Sequence, residues 1–162
     1  MALIKHIGVL NKNNIVDAVG EGIGSDIRDL GINGVERVRY VRLYAFHGAI
    51  SEIELFKIST DLLTDPISQE HFKADEMRLP IKYGEWGIEV WFRNGVTDSV
   101  GETTLKGSRD LGVTSIESVD TGKGYILSGS IAKSQIHTIC RRLLANDVIE
   151  RYAFYEGENN IG

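Results

Sequence analysis

The residues able to bind a metal ion or to act as a nucleophile are few and widely spaced in this sequence. The four histidines (His6, His47, His71 and His137) lie far apart, and none belongs to an HExxH or HxH pattern. The single cysteine, Cys140, lies on the apolar stripe of a predicted helix, where a thiol packs as a small hydrophobe. The sequence therefore predicts neither a metal site nor a cysteine nucleophile.

Two glycine-rich segments superficially resemble nucleotide-binding loops. Gly122-Lys123-Gly124 lacks the Ser or Thr that must follow the lysine of a P-loop, and Gly20 to Gly24 lacks the third-glycine spacing of the dinucleotide fingerprint. No group of residues has the spacing expected of a nucleophile, a base and an oxyanion donor. We therefore expect no catalytic residue and no cofactor on this chain, and a stand-alone enzyme has no motif to support it.

The composition is that of a globular protein with no nucleic-acid or membrane partner. The 162 residues are 42% hydrophobic and 25% charged, and the net charge is −5 with lysines and arginines scattered among carboxylates. No run approaches the ~20 apolar residues of a membrane span, and the N-terminus lacks the features of a signal peptide. A lone cysteine permits no internal disulfide. These features predict a cytoplasmic protein.

A repeat with an offset of 81 residues organises the chain. Asp17-Ala-Val-Gly-Glu21 recurs as Asp98-Ser-Val-Gly-Glu102, and Arg28-Asp-Leu-Gly31 recurs as Arg109-Asp-Leu-Gly112. Ten of the 22 positions from 17 to 38 are identical at this offset, and no gap is needed. Such self-similarity predicts a tandem duplication.

Each copy has the pattern strand, helix, strand, strand, helix, strand. In the second copy, 88–93 alternates as a strand, Asp98 caps a helix that Gly112 ends, and 121–124 is typical of a hairpin turn. The predicted inward face of this helix is Val100, Thr104, Ser108 and Leu111, and its counterpart is Val19, Ile23, Ile27 and Leu30. The last helix is predicted to bury Ile136, Ile139, Cys140, Leu143 and Leu144.

The order βαββαβ, with both helices on one sheet face, is the ferredoxin-like arrangement. We predict an α+β protein of two tandem units, each with a four-stranded antiparallel sheet, that form an intrachain pseudo-dimer. The predicted domains are a first, degenerate copy at 1–73, a linker at 74–87, a better-preserved copy at 88–157 and a C-terminal tail at 158–162. Because one copy has a small core, its bare sheet face or open edge is expected to need the other copy.

Gly20 and Gly101 follow the capping aspartates by three residues, inside the first helical turn. Glycine there costs up to about 1 kcal/mol relative to alanine, so a compensating role is expected. Two explanations stay open at this point. One is close packing of the helix start against a strand, and the other is approach of a ligand or partner to exposed backbone N–H groups.

Four segments of the second copy carry a family resemblance. They are Asp98-Ser-Val-Gly-Glu102, Arg109-Asp-Leu-Gly112, Val119-Asp-Thr-Gly-Lys-Gly-Tyr125 and Cys140-Arg-Arg-Leu-Leu-Ala-Asn146-Asp-Val-Ile-Glu150. Through them residues 88–155 resemble the PurS family, the small subunit of phosphoribosylformylglycinamidine synthase. Ser99 and Ala18 stand where that family has proline, Asp120 replaces its hairpin arginine, and the first copy is more divergent.

The resemblance implies a non-catalytic subunit that bridges an ATP-dependent synthetase (PurL-type) and a glutaminase (PurQ-type). Ammonia released from glutamine would then reach formylglycinamide ribonucleotide, while ATP, magnesium and glutamine would bind on the partners. Further homodimerisation is left open. The candidate partner-contact residues are Gly122, Lys123 and Gly124, which form the predicted hairpin, together with Gly101 and Gly20. The alternative to a contact role for the hairpin is a solvated turn with a charged tip.

A second interpretation is a tandem module that resembles the ACT family of amino-acid-sensing domains. The D-x-x-G helix start followed by a ferredoxin-like unit is similar to that family as well, and its loop at 94–101 would present backbone groups to an amino acid. The Gly-Lys hairpin and the L-L-A-N segment are left unexplained by this interpretation. They favour the PurS resemblance.

Overall fold

The computed structural model describes residues 3–159; residues 1–2 and 160–162, which include the end of the predicted tail, lie outside the described residues. The first half contains β1 (Ile4–Asn11), α1 (Ala18–Asp29), β2 (Val35–Gly48), α2 (Glu52–Ile58) with a π-helical continuation (Ser59–Leu63), and β3 (Gln69–Ala74). The second half contains β4 (Glu85–Phe92), α3 (Ser99–Asp110), β5 (Ile116–Gly129), α4 (Lys133–Ile139) with a π-helical continuation (Cys140–Leu144), and β6 (Glu150–Glu156). Every element of the second half begins 81 residues after its counterpart.

All six strands form one antiparallel sheet in the order β3-β1-β2-β5-β4-β6. Its centre is the long pairing of β2 with β5, which runs from Val35 opposite Gly129 to Gly48 opposite Ile116. The α+β class and the antiparallel sheet are confirmed. The prediction of a separate four-stranded sheet in each copy is wrong, because the two short strands predicted around 121–124 are one continuous strand and each half supplies only three.

Gly122 and Gly124 therefore do not form the predicted hairpin. Both lie inside β5, and neither has a positive φ. A Cβ on Gly122 would lie 2.7 Å from the ring of Trp91, and a Cβ on Gly124 would lie 2.9 Å from Leu79. These glycines admit bulky neighbours close to the sheet instead of turning the chain.

Each side of the sheet combines strands from both halves of the chain. On one side, β1 and β3 join the end of β2 and the start of β5, with Ile7 opposite Tyr44. On the other side, β4 and β6 join the end of β5 and the start of β2, and the same register recurs as Ile88 opposite Tyr125. Each side thus contains the four strands of a ferredoxin-like sheet only because one of them is a segment of the long strand that belongs to the other half of the chain.

The four helices cover one face of the sheet, as predicted. One core cluster packs α1 and α4 over β2, β4 and β5, and a second packs α2, Leu105 of α3 and Val113, which follows α3, over β1, β2 and β5. Each helix pair therefore also unites the two halves of the chain. The strand residues that alternate with these core residues, including Val41, Leu43 and Ile126, point to the other face of the sheet. Within residues 3–159, none of the helices has the length and apolar character needed to cross a membrane.

Residues 75–84, which connect β3 to β4 and which we call the strap, cross the sheet face that the helices leave open. β3 lies four strand positions from β4, so the strap spans roughly 19 Å, a distance that ten extended residues reach readily. Leu79 in the strap is 2% exposed and packs with Val41 and Leu43. Its N–H donates to the Tyr155 hydroxyl at 2.9 Å. The predicted linker therefore contributes Leu79 to the core.

The shared sheet predicts that residues 1–74 and 85–162, expressed separately, do not form folded monomers. Each fragment leaves long stretches of β2 or β5 without a partner strand, and exposed strand edges self-associate. We expect each fragment alone to be unfolded or self-associated, by circular dichroism and size-exclusion chromatography. A monomeric fragment with a cooperative thermal transition would contradict the composite sheet.

The strap is expected to contribute strongly to stability through Leu79. Leu79→Ala should lower the free energy of unfolding by about 2–5 kcal/mol, because it leaves a cavity over the sheet. Tyr83→Ala in the same segment is the matched control, since Tyr83 is 71% exposed and its loss should change stability by less than about 0.5 kcal/mol. Urea unfolding measures both, and equal effects would argue against a structural role for the strap.

Candidate functional site

An aspartate ties each of two helix starts to the centre of the sheet. The Asp17 carboxylate accepts from the Gly20 N–H at 2.8 Å and from the N–H of Tyr40, in β2, at 2.7 Å. Asp98 makes the same two kinds of bond at the start of α3. Each carboxylate caps its helix and also lies at the positive end of the helix dipole. The predicted capping role of both aspartates is confirmed.

The recurring glycines at these helix starts are explained by close packing. A Cβ on Gly20 would lie 2.2 Å from the carbonyl oxygen of Val38, and a Cβ on Gly101 would lie 2.2 Å from that of Val119. Backbone atoms cannot move aside as a flexible side chain can. Of the two explanations left open by the sequence, the geometry supports packing against the neighbouring strand.

The valine before each of these glycines points away from the core, although helical spacing predicted it to face inward. Val19 is 50% exposed and Val100 is 58% exposed. Because the glycine faces the strand, the preceding residue is turned by about 100° around the helix axis. The buried positions Ile27, Thr104 and Ser108 are as predicted, so the helix faces are wrong only in their first turn.

Arg42 of β2 and Lys123 of β5 lie directly opposite each other in the middle of the sheet. They are also equivalent under the 81-residue offset, so this central pair lies where the two related halves of the sheet meet. Strand alternation places both on the helix-covered face, together with Tyr44 and Tyr125. Like charges directly opposite each other weaken strand pairing unless other groups compensate them.

Arg42 is compensated within the first half of the chain. Its guanidinium donates to the hydroxyl of Tyr44 at 2.9 Å and to the carbonyl oxygen of Leu63 at 2.8 Å. A longer bond of 3.4 Å reaches the side-chain oxygen of Gln69. These bonds hold the guanidinium against the end of the π-helical turn that follows α2.

Lys123 is compensated only weakly. Among residues 3–159, the one acidic group within 4 Å of its ammonium is the Glu150 carboxylate, at 3.9 Å, which is too long for a hydrogen bond. The other Glu150 oxygen accepts from the Asn146 N–H at 2.9 Å. The Glu150 side chain is 10% exposed, whereas that of Lys123 is 49% exposed. The ammonium therefore keeps donors for a further partner.

Two adjoining cavities of about 180 and about 320 Å³ open above the central pair. Both are lined by Arg42, Tyr44 and Val100, so they lie side by side, and we call the pair the central groove. Phe92, Lys123 and Glu150 line its smaller end, and Leu62 and Thr103 line its larger end. The groove combines two positive charges, one negative charge and an apolar wall.

The groups near the groove offer charge and hydrogen bonds and no activated nucleophile. Burial raises the pKa of the Cys140 thiol to about 12, so it stays protonated at neutral pH. Burial, reinforced by Tyr40 and Glu150, raises the pKa of Tyr125 far above its usual value. In the part of the chain that the structure describes, no three His, Cys, Asp or Glu side chains are grouped so as to hold a metal ion.

The structure separates the five predicted contact residues. Lys123 lines the central groove, and Gly122 lines it through its backbone. Gly124 lies beneath Leu79 on the opposite face, and Gly101 donates its N–H to the aspartate cap. Gly20 lies beside a different cavity of about 610 Å³ along α1.

Sequence reasoning missed the two charged residues that accompany Lys123 in the groove, Arg42 and Glu150. The repeat contained a signal for the first, since Arg42 aligns with Lys123 at an offset of 81. The role of Glu150 as the neighbour of Lys123 depends on the register of β6, which no local pattern reveals.

Comparison with known proteins places the similarity in the second half. Residues 85–157 match the family model described as PurS, phosphoribosylformylglycinamidine (FGAM) synthase. Phosphoribosylformylglycinamidine synthase subunit PurS of Archaeoglobus fulgidus is 35% identical over 71 residues, which are 41% of this chain and 89% of that protein. The corresponding subunit of Synechocystis is 36% identical over 72 residues, 41% of this chain and 72% of that protein.

Two solved structures align with part of this chain. PurS from B. subtilis aligns with a TM-score of 0.42 and 23% identity, over 46% of this chain and 98% of that one. PurS from Methanocaldococcus jannaschii, a subunit of formylglycinamide ribonucleotide amidotransferase, aligns with a TM-score of 0.42 and 24% identity, also over 46% and 98%.

The packing explanation for the α1 glycines predicts opposite effects for two neighbouring substitutions. Gly20→Ala should destabilise the protein by about 1–3 kcal/mol, because its Cβ meets a strand carbonyl. Gly22→Ala should stabilise it by up to about 1 kcal/mol, since no atom lies within 4 Å of that position and alanine favours the helix. Thermal denaturation measures both, and a stabilising Gly20→Ala would rule out the packing explanation.

Proposed function

The chain belongs to the PurS family, and we propose that it serves as the small subunit of a phosphoribosylformylglycinamidine synthase in purine biosynthesis. The observation that carries the proposal is the 35% identity to the A. fulgidus subunit over 89% of that protein's length. The residues matched by the family model, 85–157, contain every element of the second half from β4 to β6. That half would provide the family's function, while the first half completes the shared sheet.

The proposed role is to bridge two partner subunits, a glutaminase and an ATP-dependent synthetase. Ammonia released from glutamine would pass to formylglycinamide ribonucleotide without escaping into solution. ATP, magnesium and glutamine would bind on these partners, and this chain would hold no cofactor. The partly compensated ammonium of Lys123 supports a contact role for this residue, because a partner's acidic group would complete its bonding.

We also infer that the two halves arose by duplication of one unit, so that the fused chain takes the place of a dimer. The recurrence of every element and every strand register at the same offset supports this inference. Fusion makes a concentration-dependent association intramolecular, which removes the dimer's dependence on protein concentration. The amino-acid-sensing alternative is not favoured, since the family match covers the whole second half.

Glutamine-dependent turnover of formylglycinamide ribonucleotide tests the proposed function. The same organism's synthetase and glutaminase subunits are assayed with and without this chain, and ammonium-driven turnover serves as the control. We expect the chain to raise the glutamine-driven rate and to leave the ammonium-driven rate largely unchanged, because a bridge acts on ammonia transfer. No effect on either rate, with no complex formed, would refute the proposal.

A further inference from the structure

We propose that the central groove docks one segment of a partner subunit that presents a carboxylate next to an apolar side chain, and that the fused chain offers this groove on the Lys123 side alone. The inference rests on the proposed function, because it names the surface through which the small subunit would hold its partner. Charge complementarity, the exposed apolar rim and the asymmetry between the two halves each contribute to it.

The charge of the groove favours an anionic group. Arg42 and Lys123 bring two positive charges to adjacent positions in a protein whose net charge is −5. Glu150 is the acidic residue among the groove's lining, and its 3.9 Å separation leaves the ammonium without a hydrogen bond to it. A carboxylate entering between these cations would relieve their mutual repulsion and accept charge-assisted hydrogen bonds.

The rim of the groove favours a macromolecule over a small anion. Val100 is 58% exposed and Leu62 is 38% exposed, and both line the groove. A small anion bound at the central pair would leave these side chains in water. A protein segment that carries an apolar residue beside its carboxylate would cover them, and burial of apolar surface contributes roughly 25 cal/mol per Å².

Within residues 3–159, the positions of the first half that are equivalent to the groove's lining are arranged differently. Arg42, the counterpart of Lys123, is already bonded to the carbonyl oxygen of Leu63. Asn11 stands where the groove has Phe92, and its amide donates to the Val16 carbonyl oxygen at 3.0 Å. The aromatic side chain and the weakly paired ammonium are therefore both lost on that side. An exact dimer would have two identical sites, whereas this chain presents one, so we expect one partner copy per chain.

Binding of the full-length chain to the same organism's synthetase and glutaminase subunits, singly and mixed, tests this inference. Val100→Lys places a charge on the apolar rim, and Lys123→Gln removes the cation without placing a second carboxylate beside Glu150. Each substitution should raise the dissociation constant at least about tenfold, equivalent to about 1.4 kcal/mol. Native mass spectrometry of the complex should give one partner copy per chain.

Two matched controls separate the groove from general surface effects. Val19→Lys makes the same change at the equivalent position of α1, where Val19 is 50% exposed and outside the groove. Lys106→Gln removes a positive charge from an exposed position of α3 that does not line the groove. Both controls should bind as the wild-type chain does, and all four variants should keep its melting temperature to within a few degrees.

The outcomes distinguish the inference from the function on which it rests. If the wild-type chain binds and supports glutamine-driven turnover while Val100→Lys and Lys123→Gln bind equally well, the docking groove is wrong and the proposed function stands. An equal loss of binding in Val19→Lys and Val100→Lys, or two partner copies per chain, would also overturn the docking groove. If free glutamate stabilises the isolated chain and this effect requires Lys123, the occupant of the groove is a small anion and not a protein segment. A wild-type chain that binds neither subunit overturns both proposals.

Discussion

The antiparallel pairing of β2 with β5 is the interaction on which the rest of the structure depends. It keeps one register through the middle of the sheet, from Arg37 opposite Ser128 to His47 opposite Ser118, and the register shifts only at its two ends. Each strand contributes one end to each side of the sheet, and both helix pairs pack across it. Neither half can therefore bury its apolar face alone, and the two halves are expected to unfold together as one cooperative unit.

The same pairing constrains the chemistry at the centre of the molecule. β2 and β5 are equivalent strands that pair in antiparallel register, so one position of β2 lies opposite its own equivalent in β5. Arg42 and Lys123 occupy these positions, and two cations therefore face each other. The fused chain distributes this repulsion unequally: Arg42 is bonded within the first half, while Lys123 faces a carboxylate at 3.9 Å. Two identical chains cannot differ in this way. In a single chain, the two equivalent positions can carry different residues with different partners.

Much of the fold could be predicted from the sequence because the repeat and the caps are local signals. Asp98 and Gly112 bound α3 as predicted, and Gly112 has a φ of +89°. The hairpin at 121–124 was wrong because glycine serves two purposes, positive φ and close approach, and only tertiary structure shows which applies. The first copy held a clue, since Val41, Arg42 and Leu43 align with Gly122, Lys123 and Gly124, and a Val-Arg-Leu run is typical of a strand. The groove escaped prediction because it joins β2, β4, β5, β6, α3 and the π-helical turn after α2, which are distant in sequence.

The strap follows from joining the two halves in tandem. β3 ends at one edge of the sheet and β4 lies four positions away, while the helices occupy one face, so the connection must cross the other. A polar linker there would leave Val41, Leu43 and Ile126 exposed to solvent. Leu79 covers them instead. The Arg78 guanidinium lies 4.4 Å from the centre of the ring of Tyr155, whose hydroxyl accepts a hydrogen bond from the Leu79 N–H. The connection between the two halves therefore also covers apolar side chains at the centre of the second face of the sheet.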